Sequence, residues 1–201
     1  MKSSWPIVGM SLALVGCSSA PTHYHTLAQI HQSAAPAADT GGCTSCTILL
    51  AHVAIPAEVD RMQLLVHQDA TRLKVYETER WAVSLRDQIP AILIDDLRER
   101  LPGAAITSDR LLTGTQAPLH LNVDVEALDA VAGKEATVRV RWEVSSADRS
   151  ISQVGERVSR QPLSGADIDD VVLAWSRALA EVSSAIAASI RCCPGSAGSA
   201  Q

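Results

Sequence analysis

The stretch from Met62 to Leu101 constrains the fold more than any other, because its apolar residues change period partway along. Met62-Gln63-Leu64-Leu65-Val66-His67 and Leu73-Lys74-Val75-Tyr76-Glu77 read as two strands. Beyond Arg80-Trp81, the residues Trp81, Leu85, Ile89, Ile92 and Leu93 recur at helical spacing. The period moves from 2 to 3.6 at the tryptophan. A strand pair running straight into an amphipathic helix buries one shared seam, and the indole at the junction is placed to set how the helix lies on the sheet. Pro90 falls inside the helical run, so the helix either kinks there or divides into two at Ile89. Pro102-Gly103 ends it.

Around this stretch the chain alternates in the same manner. Ile48 to Ile55 is a near-continuous apolar run stopped by Pro56, as expected of an interior strand covered on both faces. Ala104 to Thr107 reads as a short strand. Leu119, Leu121, Val123 and Val125 alternate with His120, Asn122, Asp124 and Glu126, and Val138, Val140, Trp142 and Val144 alternate with Arg139, Arg141 and Glu143. The two segments form an antiparallel hairpin around Gly133-Lys134, its outer face pairing acids with arginines. Ile151 to Ser159 reads as a further strand interrupted at Gly155. Ser164-Gly165-Ala166-Asp167 has capping-box spacing, and Ile168, Val171, Val172, Trp175, Leu179, Val182, Ile186 and Ile190 form one apolar stripe. That helix runs for about 35 Å, enough to cross a sheet. The expected fold class is α/β of the α+β kind, a mixed sheet with two main helices packed on it.

The first residues carry an address. Lys2 precedes an apolar run from Ile7 to Val15 that is too short to span a bilayer, and Leu14-Val15-Gly16-Cys17-Ser18 resembles the bacterial lipoprotein signal. The resemblance implies that residues 1–16 are a signal peptide and that Cys17 is the acylated residue. Each buried acyl methylene contributes about 0.8 kcal/mol to anchoring, so more than one chain holds firmly. Ser18 in place of an aspartate points to outer-membrane sorting. No later segment reaches the ~20 apolar residues of a span in this reading. Residues 17–46, rich in Ala, Ser, Thr, Pro and Gly, read as a flexible tether. His23, His25 and His31 lie within it at spacings that could suggest metal, yet dispersed among small polar residues with no fixed geometry.

Four more cysteines flank the folded body. Cys43 and Cys46 precede the first strand of residues 47–193, and Cys192 and Cys193 close the last helix ahead of a disordered tail, 194–201. In an exported protein these thiols are expected to be oxidised. Cross-pairing between the two pairs is the preferred arrangement, with self-pairing, free thiols and a four-thiolate zinc site as alternatives. A cross-link would be worth about 5 kcal/mol in the chain-entropy model, before strain. Cys43-Thr44-Ser45-Cys46 runs into a strand and lacks the helix N-terminus that activates a redox Cys-x-x-Cys.

With 47% hydrophobic residues and 201 residues in all, the chain is large enough for one well-buried core. A net charge of −5 without a basic run argues against nucleic acid. No Gly-x-Ser-x-Gly elbow or His-Glu-x-x-His helix occurs, and His52, His67 and His120 stand singly, so the residues call for no enzyme, cofactor or metal.

The order Pro56, Asp60-Arg61, Arg80-Trp81-Ala82 with Leu85, Leu101-Pro102-Gly103, Trp142 and Trp175 resembles the PqiC-type auxiliary lipoproteins of ABC transport and MCE systems. Tyr24-His25-Thr26-Leu27 is similar to that family's Tyr-Tyr-x-Leu. The family more often shows an acid and a proline where Val83 and Ser84 stand, and the four flanking cysteines are outside its pattern. The resemblance implies a fold like the N-terminal domain of TolB and a non-enzymatic role in lipid transport. The partner it implies is a periplasmic MCE-domain protein docked at the outer membrane, with possible homo-oligomers. Alternatives are a lipid-binding carrier and a thiol-disulfide protein using Cys43 and Cys46.

Overall fold

A computed structural model describes residues 20–31, 46–69, 71–109 and 118–191. Eight strands form one mixed sheet: β1 (His23–His25), β2 (Thr47–Ala54), β3 (Gln63–His67), β4 (Leu73–Trp81), β5 (Ala105–Thr107), β6 (Leu119–Val131), β7 (Glu135–Ser145) and β8 (Ser152–Pro162). Two helices complete it, α1 (Leu85–Arg100) and α2 (Ile168–Arg191). The expected mixed sheet with two main helices is the fold observed.

The sheet is organised about β6. On one side it is paired antiparallel to β7, which in turn pairs β8; on the other, its first half lies parallel to β2 and its last residue meets β3. From β2 the sheet continues to β5, and from β3 to β4 and β1. Cross-strand pairs Leu121–Val144, Val123–Trp142, Val125–Val140, Leu128–Val138 and Ala130–Ala136 line the helix-covered face, every one of them buried. A bulge between Val125 and Ala127 inserts Glu126 and moves the inward phase of β6 from odd to even positions. That is why the alternation visible in the sequence stops at Glu126 while the strand continues to Val131. On the outer face Glu126 pairs with Arg141 at 2.8 Å, the acid–arginine pairing expected of the hairpin.

Four expectations change. Gly155 does not interrupt β8, which pairs with β7 in unbroken register and sets Gly155 opposite Trp142. A Cβ at Gly155 would collide with the indole, so the glycine makes room for the ring. The strand β2 is covered on both faces only at its start, where Ile48, Leu49 and Leu50 are buried; past Leu49 its β5 neighbour ends, and His52 is exposed. Residues 17–46 are not a tether throughout, since His23–His25 form β1, parallel to β4. Finally, residues 168–190 of α2 are long and apolar enough to cross a membrane, although the helix is 67% buried within the body and serves as its core helix. Pro90 leaves α1 as one helix.

The two helices meet along a polar seam. Arg100 donates to Ser184 Oγ at 2.9 Å, to Ala180 O at 3.2 Å and to Asp96 O at 3.1 Å. The Asp96 carboxylate is fully buried but lies 3.7 Å from Arg100 Nη1, and Ser183 beside it spends its one proton on Leu179 O. Neither carboxylate oxygen has a hydrogen-bond partner among the described residues. Burial therefore pushes the Asp96 carboxyl above its ordinary range, with the nearby Arg100 charge only partly offsetting it.

Two outcomes follow from this packing. Gly155→Ala drives a methyl into Trp142 and is expected to destabilise the domain by about 1–3 kcal/mol in thermal or urea denaturation. A carboxyl raised in the folded state stabilises below its unfolded pKa and loses that contribution as pH rises through the folded value, so ionised Asp96 is a burden at pH 7. Asp96→Asn should then raise stability by about 1 kcal/mol at pH 7, with the gain shrinking as the pH falls toward 4.

Candidate functional site

The residues singled out in the sequence converge where β1, β4, α1 and α2 meet. Trp81 ends β4 and is 2% exposed; Trp175 of α2, equally buried, lies against it with ring centroids 6.0 Å apart and planes at 38°. The Trp81 amide donates to Met62 O at 2.7 Å and the next, Ala82, to His25 O at 2.8 Å, so the Arg80-Trp81-Ala82 backbone is tied to both flanking strands. Trp175 Nε1 donates to Asp129 O at 2.9 Å, reaching the C-terminal part of β6. Leu85, the first residue of α1, is buried in the same cluster. Trp142 stands elsewhere, under the end of α2, with Nε1 donating to Ser189 Oγ at 2.8 Å.

The remaining motif residues shape the approach to this junction. The Pro56 carbonyl accepts from the amides of Val59 and Asp60, closing the turn after β2. Asp60 accepts from Arg86 of α1, which fastens that turn to the helix. Arg61 is exposed, and its amide donates to Val59 O at 2.8 Å. Arg80 turns back onto Glu77 O at 3.1 Å. Cys46 sits half-buried against the core just ahead of β2. Cys17, Cys43, Cys192 and Cys193, with the lipidation and disulfide pairing expected of them, lie outside the described residues, as do 1–16 and 194–201.

What the sequence did not disclose is how the N-terminal segment docks. Leu27 inserts into the core, and its amide donates to Gln88 Oε1 at 2.8 Å, which also accepts from the Thr26 hydroxyl at 2.9 Å. Gln88 Nε2 donates to Val83 O, and the Ala28 amide donates to Ser176 Oγ at 3.1 Å. Gln88 and Ser176 are buried polar groups on α1 and α2, and the acceptor oxygen of each takes its donors from this segment. The one available signal was a glutamine on the otherwise apolar stripe of α1, three residues after Leu85.

Beside the docked segment opens a cleft of about 580 Å³ between β1, β4 and the start of α2, walled by Tyr24, Tyr76 and Ile168. Glu79 bridges two histidines at its base, with His25 Nε2 at 2.6 Å and His23 Nδ1 at 3.0 Å, while His25 Nδ1 faces Asp169 at 3.3 Å. The hydrogen bond from His25, and after it the one from His23, hold the Glu79 carboxyl below its ordinary range. This cluster ties β1 to β4 and α2 and offers no nucleophile. Among the described residues, no group of His, Cys, Asp or Glu is arranged to hold a metal ion.

An eight-stranded mixed sheet backed by two helices is a fold shared with solved structures. A protein described only as uncharacterized matches with a TM-score of 0.71 at 17% identity, over 85% of this chain and 99% of its own. Protein XCC0632 from Xanthomonas campestris, assigned to the family DUF330, matches with a TM-score of 0.65 at 17% identity, over 86% of this chain and 95% of its own. No curated protein sequence matches the chain. Residues 25–187 match the model of the ABC-type transport auxiliary lipoprotein component, and the chain belongs to that family. The match begins at His25, within β1, so the docked segment is part of the family's domain.

Gln88→Ala should free this segment. The expected result is a local loss of about 1–3 kcal/mol, read as faster hydrogen exchange at the Leu27 amide with little change at β6 and β7.

Proposed function

We propose that this protein is a non-enzymatic lipoprotein subunit of an ABC-type lipid transport system, anchored through Cys17 on the periplasmic face of the outer membrane. There it docks the outer end of a periplasmic MCE-domain conduit and supports membrane integrity. The observation that carries the reading is the family match across residues 25–187, an auxiliary component of transport rather than its motor. The docking geometry of the N-terminal segment supports it: with β1 clamped to β4 and α2, a pull on the anchored terminus is delivered to the folded body. Cross-links between Cys43/Cys46 and Cys192/Cys193 would close the two ends of the body on each other.

The carrier alternative needs an apolar chamber for acyl chains, and the cleft at β1 sets His23, His25, Glu79 and Asp169 beside its Tyr24, Tyr76 and Ile168 walls. The redox alternative needs a helix N-terminus behind Cys43 and Cys46, and Cys46 opens onto strand β2. Cys17→Ser is expected to yield a folded protein released from the membrane that fails to restore envelope integrity in a deletion strain. Affinity purification of the wild type from solubilised envelopes should recover an MCE-domain protein. Full complementation by the unanchored variant, or recovery of unrelated proteins alone, overturns the reading.

A further inference from the structure

Among the described residues of the N-terminal segment, His25 alone sets both ring nitrogens against carboxylates. Nε2 lies 2.6 Å from Glu79 of β4 and Nδ1 lies 3.3 Å from Asp169 of α2. The His25 side chain is 10% exposed, whereas Asp169 is 91% exposed and can turn into solvent. A neutral imidazole has one N–H and one lone pair; an imidazolium has two N–H groups. Neutral His25 therefore serves one carboxylate and turns a lone pair toward the other. Only the protonated ring donates to both.

The other two histidines of the segment differ. His23 and His31 each place a single nitrogen, Nδ1, against a single acid, Glu79 at 3.0 Å and Glu99 at 3.1 Å. A neutral ring with its proton on Nδ1 satisfies either contact. The surroundings of His25 accept an added charge. Its cleft is lined by Glu79, Asp167 and Asp169 and by no Lys or Arg among the described residues, and Lys74 stands over the ring of Tyr76, 4.2 Å from its centre. The positive N-terminal end of α2 opposes an imidazolium, and Asp169 and Asp170 in its first turn offset that end. Glu79 is held below its ordinary range by the hydrogen bond from His25 and then that from His23, so it stays ionised where histidines exchange protons.

We propose that His25 is a proton-operated latch on the N-terminal strand: protonated, it bridges β4 and the start of α2, and on losing that proton it releases α2. The stabilisation belongs to the protonated state and is lost as pH rises through the titration. Its effect is local. Residues 26–28 are pinned to Gln88 and Ser176 just beyond the latch, so a weaker hold on β1 lets them detach more often. Losing one exposed ion pair and the charge assistance at Glu79 amounts to about a tenfold change in that opening. The latch operates whether or not Cys17 carries lipid, so its failure and that of the anchoring reading are separate results.

The test is nuclear magnetic resonance of the full chain in detergent, isotope-labelled on its histidine nitrogens and followed from about pH 5.5 to about pH 8. His25 is expected to pass from two ring N–H groups to one, kept on Nε2. Amide exchange at Leu27 and Ala28, taken relative to the unstructured rate at each pH, should be protected about tenfold more at the acid end. Asp169→Asn should cut that difference to about threefold or less, because a carboxamide can accept from Nδ1–H or donate to the bare Nδ1. His23→Asn should leave the difference in place. A His25 ring with the same proton count across the range, or protection that does not follow pH, overturns the proposal. So does a difference that persists in full in Asp169→Asn or vanishes in His23→Asn.

Discussion

The contact between Trp81 and Trp175 is the constraint on which the rest of the structure depends. One indole ends the strand that turns into α1, and the other stands on α2, so their packing fixes both helices against the same end of the sheet. Each tryptophan is also held by a hydrogen bond, Trp81 through its backbone amide to Met62 O just ahead of β3 and Trp175 through its ring Nε1 to Asp129 O of β6. In a chain with no phenylalanine and an aliphatic core, these two rings supply much of the shape that distinguishes one helix position from another.

From that junction the polar content of the core becomes intelligible. The seam between α1 and α2 is not dry, since Gln88, Asp96, Arg100, Ser176 and Ser183 lie along it, and most are satisfied by backbone groups. Gln88 and Ser176 make their bonds to residues 26–28, so the N-terminal segment completes the helix pair instead of merely trailing from it. Asp96 is the exception, buried without a hydrogen bond and offset from Arg100 by more than bonding distance. Through these contacts residues 23–28 are joined firmly to the body of the domain.

Element types were legible in the sequence wherever one side-chain period ran unbroken. The switch from strand to helix beside Trp81, the hairpin from Leu119 to Val144 and the stripe of α2 all follow from burying one face. The family pattern was legible too, because Arg80-Trp81-Ala82 with Leu85 and Trp175 are the residues that build the junction. The exposed acid–arginine pattern of the hairpin was read correctly as a solvated face.

Tertiary contact decided the rest. His23-Tyr24-His25 looks like linker because a three-residue strand has too few residues to show a period, and its partners on β4 and Asp169 of α2 are distant in sequence. Gly155 looks like a break because a sequence does not show which ring lies across a glycine. The bulge at Glu126 shifts a phase that alternation alone would carry on unchanged. Local spacing determines which elements form and which face they bury; which face meets which, and where a small residue must yield to a large one, depends on contacts between segments whose separation along the chain carries no periodic signal.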